Sequence, residues 1–250
     1  MTSSTSITSS NPWRLKLLIF WNIFGMILFT SLFVPYTSAL WDQIDPTLFR
    51  FFNQPLKNSH SLRLFWAVAN HGFADWFEDL CIFGFYLAAI WKTKRGTRLQ
   101  RSAQLLFCVL LTACTILLIN RLICRDYLHL RRTSPTLVLN DAIHLSDFLP
   151  WIHVKVDSNK SFPGDHATTA LMFACSYAYL VRGKLATFAL LYGAFLCLPR
   201  LIVGAHWPSD VIVGSGCIVI FSLSWAFCTP FAEKCSAAIN RIFQRWRGGV

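Results

Sequence analysis

Residues 17–34 read LLIFWNIFGMILFTSLFV, eighteen positions without a charge. A bilayer core about 30 Å thick needs roughly 20 mostly apolar helical residues to cross it, so this stretch reads as a membrane span. Similar runs recur at Phe73–Trp91, Leu105–Ile119, Ala167–Val181, Leu185–Pro199 and Val211–Cys228. The expected fold is all-α, a polytopic membrane bundle of six transmembrane helices, three on either side of a long central loop. A signal peptide cleaved near Thr37-Ser38-Ala39 would also explain the first run. Its apolar length, however, exceeds the usual h-region of about 7–15 residues, so it reads as a retained span.

Composition agrees. Of 250 residues, 54% are hydrophobic and 14% charged, against about 25% charged in soluble domains. Such a chain lacks the polar surface to coat itself in water, which excludes a soluble domain, a coiled coil and a disordered chain. The expected organisation is a disordered, Ser/Thr-rich cytoplasmic segment at 1–12, a membrane domain at 13–230, and a basic cytoplasmic tail at 231–250. Nine cysteines form no CxxC pair and are odd in number, so buried free thiols are expected rather than zinc or disulfides.

The net charge of +11 divides by loop. Arg14, Lys16, Lys92, Lys94, Arg95, Arg98, Arg101, Arg182, Lys184, Lys234, Arg241, Arg245 and Arg247 fall on one side of the spans, with Glu233 as their only acid. The other side holds 10 basic and 11 acidic residues. Lys and Arg mark cytoplasmic loops, so both termini are expected in the cytoplasm. That explains the basic pI without nucleic acid, for which no motif is present. Trp13, Trp41, Trp91, Trp151 and Trp207, near span ends, fit an interfacial aromatic belt.

The chemistry concentrates on the opposite face, in three pieces. They are RDYLHLRRTSP at 125–135, SFPGDH at 161–166, and RLIVGAHWPSD at 200–210. Guanidiniums match phosphate oxygens bidentately, so Arg132 and Arg200, with Arg125 or Arg131, are expected to hold a phosphoryl group. His206 and Asp210 lie about one helical turn apart, so the carboxylate is expected to accept from one imidazole nitrogen and free the other to attack. His166 is the expected acid for the departing oxygen. It stands at a helix N-terminus suited to an anion, where Gly164 allows close backbone approach; Ser161 and Gly164 complete the expected phosphate-binding set. A divalent metal on two His and an Asp is the rival reading, disfavoured by the surrounding arginines. Arginines that merely bind lipid headgroups are another. Asp75, Glu78 and Asp79 read as first-turn acids favoured by the helix dipole. His60, His71, His129, His144 and His153 read as solvated loop residues.

These three pieces resemble the type-2 phosphatidic acid phosphatase superfamily, whose members carry K-x6-R-P, P-S-G-H and S-R-x5-H-x3-D in that order. Arg200, His206 and Asp210 match the third motif, with Pro199 in place of its Ser. Pro163 and His166 match the second, with Gly164 and Asp165 between them. Arg132 matches the first, followed by Thr133, and either Arg125 or Arg131 fills its leading basic position. Within the superfamily, RRTSPTL, SFPGDHATT, PRLIVGAHWPSDVIVGS and the first-loop FFNQPL at 51–56 are similar to the branch that phosphorylates lipid A. The resemblance implies an inner-membrane phosphotransferase with a periplasmic site. It would move phosphate from undecaprenyl pyrophosphate to the 1-phosphate of lipid A through a phosphohistidine, with no metal, cofactor or obligatory protein partner. A lipid phosphatase with water as acceptor, and a non-enzymatic lipid-binding or transport protein, are the alternatives.

Overall fold

The computed structural model describes residues 13–152, 154 and 158–248; the Ser/Thr-rich segment expected to be disordered and His153 lie outside them. Among the described residues, all regular structure is helical. Helix α1 (Leu15–Thr30) ends short of Val34 because a residue before proline is pushed out of helical backbone; Val34 is extended, at φ −74° and ψ 125°. The chain bends by 73° into α2 (Pro35–Asn53), whose first-turn proline needs no amide partner, and a 3-10 turn at Gln54–Lys57. Next come α3 (His60–Ala69), capped by the Ser59 hydroxyl, and α4 (Gly72–Lys92), capped by His71 Nδ1 on the Phe73 amide. Helix α5 (Arg98–Cys114) continues as a wider π-helix over Thr115–Tyr127. The central loop contains two single turns, α6 (Pro135–Val138) and α7 (Leu145–Phe148). The chain ends with α8 (Asp165–Val181), α9 (Lys184–Ile202), a π turn at Asp210–Ser215 leading into α10 (Gly216–Cys228), and α11 (Phe231–Gly248).

Three helical stretches are long and apolar enough to cross a membrane, Arg95–Tyr127, Lys184–Ile202 and Asp210–Cys228, with a fourth if the bent pair α1–α2 counts as one. The other expected spans fall short for separate reasons. Proline truncates α1 to 16 residues, α8 has 17, and α4 carries three acids. Helices α8 and α9 approach closely at Gly193, where a Cβ would lie 2.5 Å from that of Ala174. Beside them Leu105, Phe173, Tyr177 and Ala189 form a core with α4 and α5, and the buried Tyr177 hydroxyl donates to the Phe85 carbonyl at 2.9 Å. Helix α1 packs on α10, and α11 on α5. All nine cysteines are free thiols.

The two ends of the bundle differ in chemistry. At one, Lys92, Lys94, Arg101, Arg182 and Lys184 line a shared depression. At the other, the central loop is pinned as a cap. Asn53, from FFNQPL, is fully buried. Its Oδ1 accepts from the Ile143 amide at 2.7 Å, while its Nδ2 donates to the Ile143 and Ile202 carbonyls. Leu145 and Leu149 of the loop are buried against Leu56, Ala67, Ile202 and Val203, each contributing about 2 kcal/mol by burial. A long loop thereby becomes a fixed wall of the site.

Candidate active site

His206 is set by how α9 ends. Gly204 adopts φ +84°, a conformation open to glycine. The Ala205 amide therefore returns to the Arg200 carbonyl at 2.9 Å, and the Gly204 amide to that of Leu201 at 3.2 Å. This paired closure is a Schellman cap. The His206 amide also meets the Arg200 carbonyl, at 3.2 Å, so the arginine and the imidazole are held in one rigid turn.

The imidazole is oriented by a group the sequence did not single out for that role. His206 Nδ1 lies 2.6 Å from the Ser161 carbonyl oxygen and 3.8 Å from Asp210 Oδ2. A carbonyl only accepts, so Nδ1 carries the proton and Nε2 keeps its lone pair. Orientation by Asp210 is thus corrected to orientation by Ser161, with the carboxylate near enough to act through its charge. Asp210 is fully buried and spends its oxygens on the Trp207 amide at 2.9 Å and Arg132 at 3.1 Å. The Ser161 hydroxyl is turned away and donates to the Arg132 carbonyl at 3.0 Å. Gly164 caps α8 beneath the ring; a Cβ there would sit 3.4 Å from His206 Cε1.

His206, His166, Arg200 and Arg125 line a common cavity of about 540 Å³. Arg200, mostly buried, directs one guanidinium nitrogen to the Asn70 carbonyl at 3.3 Å. The other is shared between Asp75 at 3.3 Å and His166 Nε2 at 3.1 Å. Arg125 is tied to Asp165 at 2.9 Å and the Pro163 carbonyl at 2.8 Å. Arg131, the other candidate for that position, lines a separate depression beside Trp41 and Asp42.

The structure does not bring Arg132 to the cavity of His206 and Arg200. Its guanidinium lies behind His206, bonded to Asp45 at 2.8 Å, to Asp210, and to the Ser209 hydroxyl, 4.9 Å above the Trp207 ring. Two buried carboxylates have to be neutralised, and Arg132 is the cation that reaches both. Trp207 is likewise no interfacial belt residue: it is 5% exposed, and its indole donates to the Thr133 carbonyl at 2.7 Å.

His166 stands one residue before the fourth apolar run. Although 44% of its side chain faces the open cavity, the surrounding protein withdraws it from bulk water. That burial, followed by the charge of Arg200, pushes its pKa down to about 4. It is neutral in this arrangement, as its acceptance of a hydrogen bond from Arg200 requires.

Several residues of the site escaped the sequence reading. Asp75, Glu78 and Asp79 are not merely first-turn acids, since all three line the cavity, as do Arg121 and Lys160. Asp45 is fully buried and receives the Ser209 amide at 2.9 Å. Asn120 donates to Asp165 and Thr168, each at 3.1 Å. The one available signal was polar residues within otherwise apolar helical runs, which are usually functional. Asp75, Glu78 and His166 each bring a ligand atom within 4.8 Å of the others, a spacing that can hold a metal. Arg200 competes for two of these residues.

Comparison with known proteins points to one family. Residues 127–234 match the PAP2 superfamily, a stretch that includes His166, Arg200, His206 and Asp210. Lipid A 1-diphosphate synthase of Escherichia coli K12 is 30% identical over 222 residues, 88% of this chain and 91% of that protein. No solved structure matches the chain. An arginine-lined cavity with a directed imidazole, the superfamily match and a relative spanning nearly the whole chain lead to one assignment: the chain belongs to the PAP2 superfamily, as an enzyme of its lipid phosphatase and phosphotransferase type.

Proposed function

We propose that the protein is a metal-independent membrane phosphotransferase that moves phosphate from undecaprenyl pyrophosphate to the 1-phosphate of lipid A. The observation that carries the chemistry is the 2.6 Å contact between His206 Nδ1 and the Ser161 carbonyl, which leaves Nε2 free in a cavity shared with Arg200 and Arg125. Nε2 attacks the terminal phosphorus and the bond to the bridging oxygen breaks, giving phosphohistidine and undecaprenyl phosphate. Arg200 and Arg125 hold the equatorial oxygens, with Arg121 and Lys160 adding positive charge, and developing charge is stabilised without reorganisation. His166, protonated once the anionic substrate is bound, supplies the proton to the leaving group. It then takes a proton from the lipid A 1-phosphate as that oxygen attacks the phosphohistidine. Arg132 and Asp45 act indirectly, by holding Asp210 behind the ring.

The acceptor is proposed from the relative, which is named for making lipid A 1-diphosphate. For the membrane arrangement we propose six spans, adding α1, α4 and α8 to the three long ones, because the acids of α4 face a protein cavity rather than lipid. The cytoplasmic placement of the termini and the periplasmic placement of the site rest on the Lys/Arg asymmetry. The decisive experiment supplies undecaprenyl pyrophosphate labelled on its terminal phosphate, with and without lipid A and with a chelator. Label on lipid A, insensitive to the chelator, is the expected result. Free phosphate whether or not acceptor is present makes the protein a phosphatase, and binding without turnover makes it a lipid-binding or transport protein.

A further inference from the structure

The catalytic cavity has a larger neighbour. A groove of about 970 Å³ runs between α3, α4 and α9, walled by Phe65, Phe73, Phe77, Tyr192, Phe195 and Trp151. Among the described residues Glu78 is the only Asp, Glu, Lys or Arg in its lining, and Glu78 and Leu196 line the phosphate cavity as well. One side chain of α4 and one of α9 therefore form the partition between an apolar trough and an arginine-lined phosphate site. Ligand sites of about 300–1,000 Å³ enclose most of an organic ligand's surface, and this groove has that capacity. Its aromatic walls are also well exposed, Phe73 at 77% and Trp151 at 71%.

We propose that this groove holds the polyprenyl chain of the phosphate donor, an inference that rests on the donor being a polyprenyl pyrophosphate. Three features favour that occupant. The groove adjoins the phosphate cavity, so an amphiphile with its pyrophosphate near Arg200 can lay the chain directly into it. Flat aromatic faces pack well against the planar, polarisable double bonds that recur along a prenyl chain. Among the described residues the lining contains no Lys or Arg, and His60 and His71 are its basic groups, so it lacks the fixed cations that would hold the second phosphate of a diphosphorylated glucosamine lipid. The acceptor would then enter on the other side of α4, where the catalytic cavity lies between α4 and the π-helical end of α5.

Two measurements test this. The first irradiates wild-type protein with a polyprenyl pyrophosphate bearing a diazirine in mid-chain and maps the adducts. They are expected within residues 60–78, 151–152 and 192–199; adducts elsewhere overturn the proposal. The second compares KM for undecaprenyl and farnesyl pyrophosphates in Ala69→Phe, which narrows the groove. The increase is expected to be at least tenfold larger for the long chain. An equal change for both donors, or a change in KM for lipid A instead, refutes the assignment. Photolabelling needs no turnover, so the two readings fail separately. Adducts in the groove without phosphate transfer sink the functional reading alone, and transfer with adducts elsewhere sinks only the groove.

Discussion

A neutral His166 that the proposed mechanism requires to become an acid predicts that anion binding drives proton uptake. The perturbation is sulfate, which stays dianionic through the weakly acidic range. Burial and Arg200 hold the imidazole down to about 4. A dianion about 5 Å away, at an effective dielectric of about 40, attracts the imidazolium by about 3 kcal/mol, or about two pKa units. With the free value near 4 and the bound value about 6, linkage makes sulfate bind about 20-fold more tightly at pH 4.5 than at pH 6.5. Titration calorimetry in detergent, in two buffers of different ionisation enthalpy, reads both the affinity and the proton taken up. His166→Gln should flatten the dependence, which separates it from any contribution of His206. Affinity independent of pH in the wild type, or an unchanged slope in His166→Gln, would refute the reasoning. Folding is linked to the same proton. The folded value of about 4 lies below the unfolded value of about 6.5. The unfolded chain therefore binds more protons between them, and stability falls as pH drops through that window.

Other consequences are more direct. His206→Ala should lower kcat by at least about 10⁴-fold while still unfolding cooperatively, and wild-type protein given terminally labelled donor should yield an acid-labile, base-stable phosphoprotein that the variant lacks. Asp45→Ala removes one of the two carboxylates on Arg132 and leaves the Ser209 amide without its acceptor; a loss of about 3 kcal/mol in stability is expected, read by thermal unfolding, with a parallel fall in kcat because the guanidinium that holds Asp210 is less firmly fixed. In Gly204→Ala the new Cβ meets Thr136 Cγ2 at 2.5 Å in a backbone of φ +84°. A cost of about 2–3 kcal/mol is expected, together with lost activity as Arg200 and His206 are uncoupled; an unchanged melting temperature would show the turn to be less constrained than its geometry implies.

Apolar run length was sufficient to reveal a helical membrane protein, and residue type to single out His206, His166 and Arg200, with Arg125 or Arg131, as candidates, because hydrophobic length and guanidinium–imidazole chemistry are local properties of residue type. Charge counting divided the loops for the same reason. What chain proximity cannot convey is which polar groups meet after folding. Asp210 is four residues from His206, yet the ring is held by Ser161, 45 positions away. Arg132 looked like a phosphate ligand and became the counter-ion of Asp45 and Asp210. Asp75 and Glu78 look like ordinary first-turn acids until α4 packs beside α9 and faces them into the cavity. A buried charge takes whichever partner the packing brings within hydrogen-bond distance, since leaving it unpaired costs several kcal/mol. Residue types therefore determined the chemistry available to this protein, while tertiary packing decided which groups neutralise one another and which remain free to meet a phosphate.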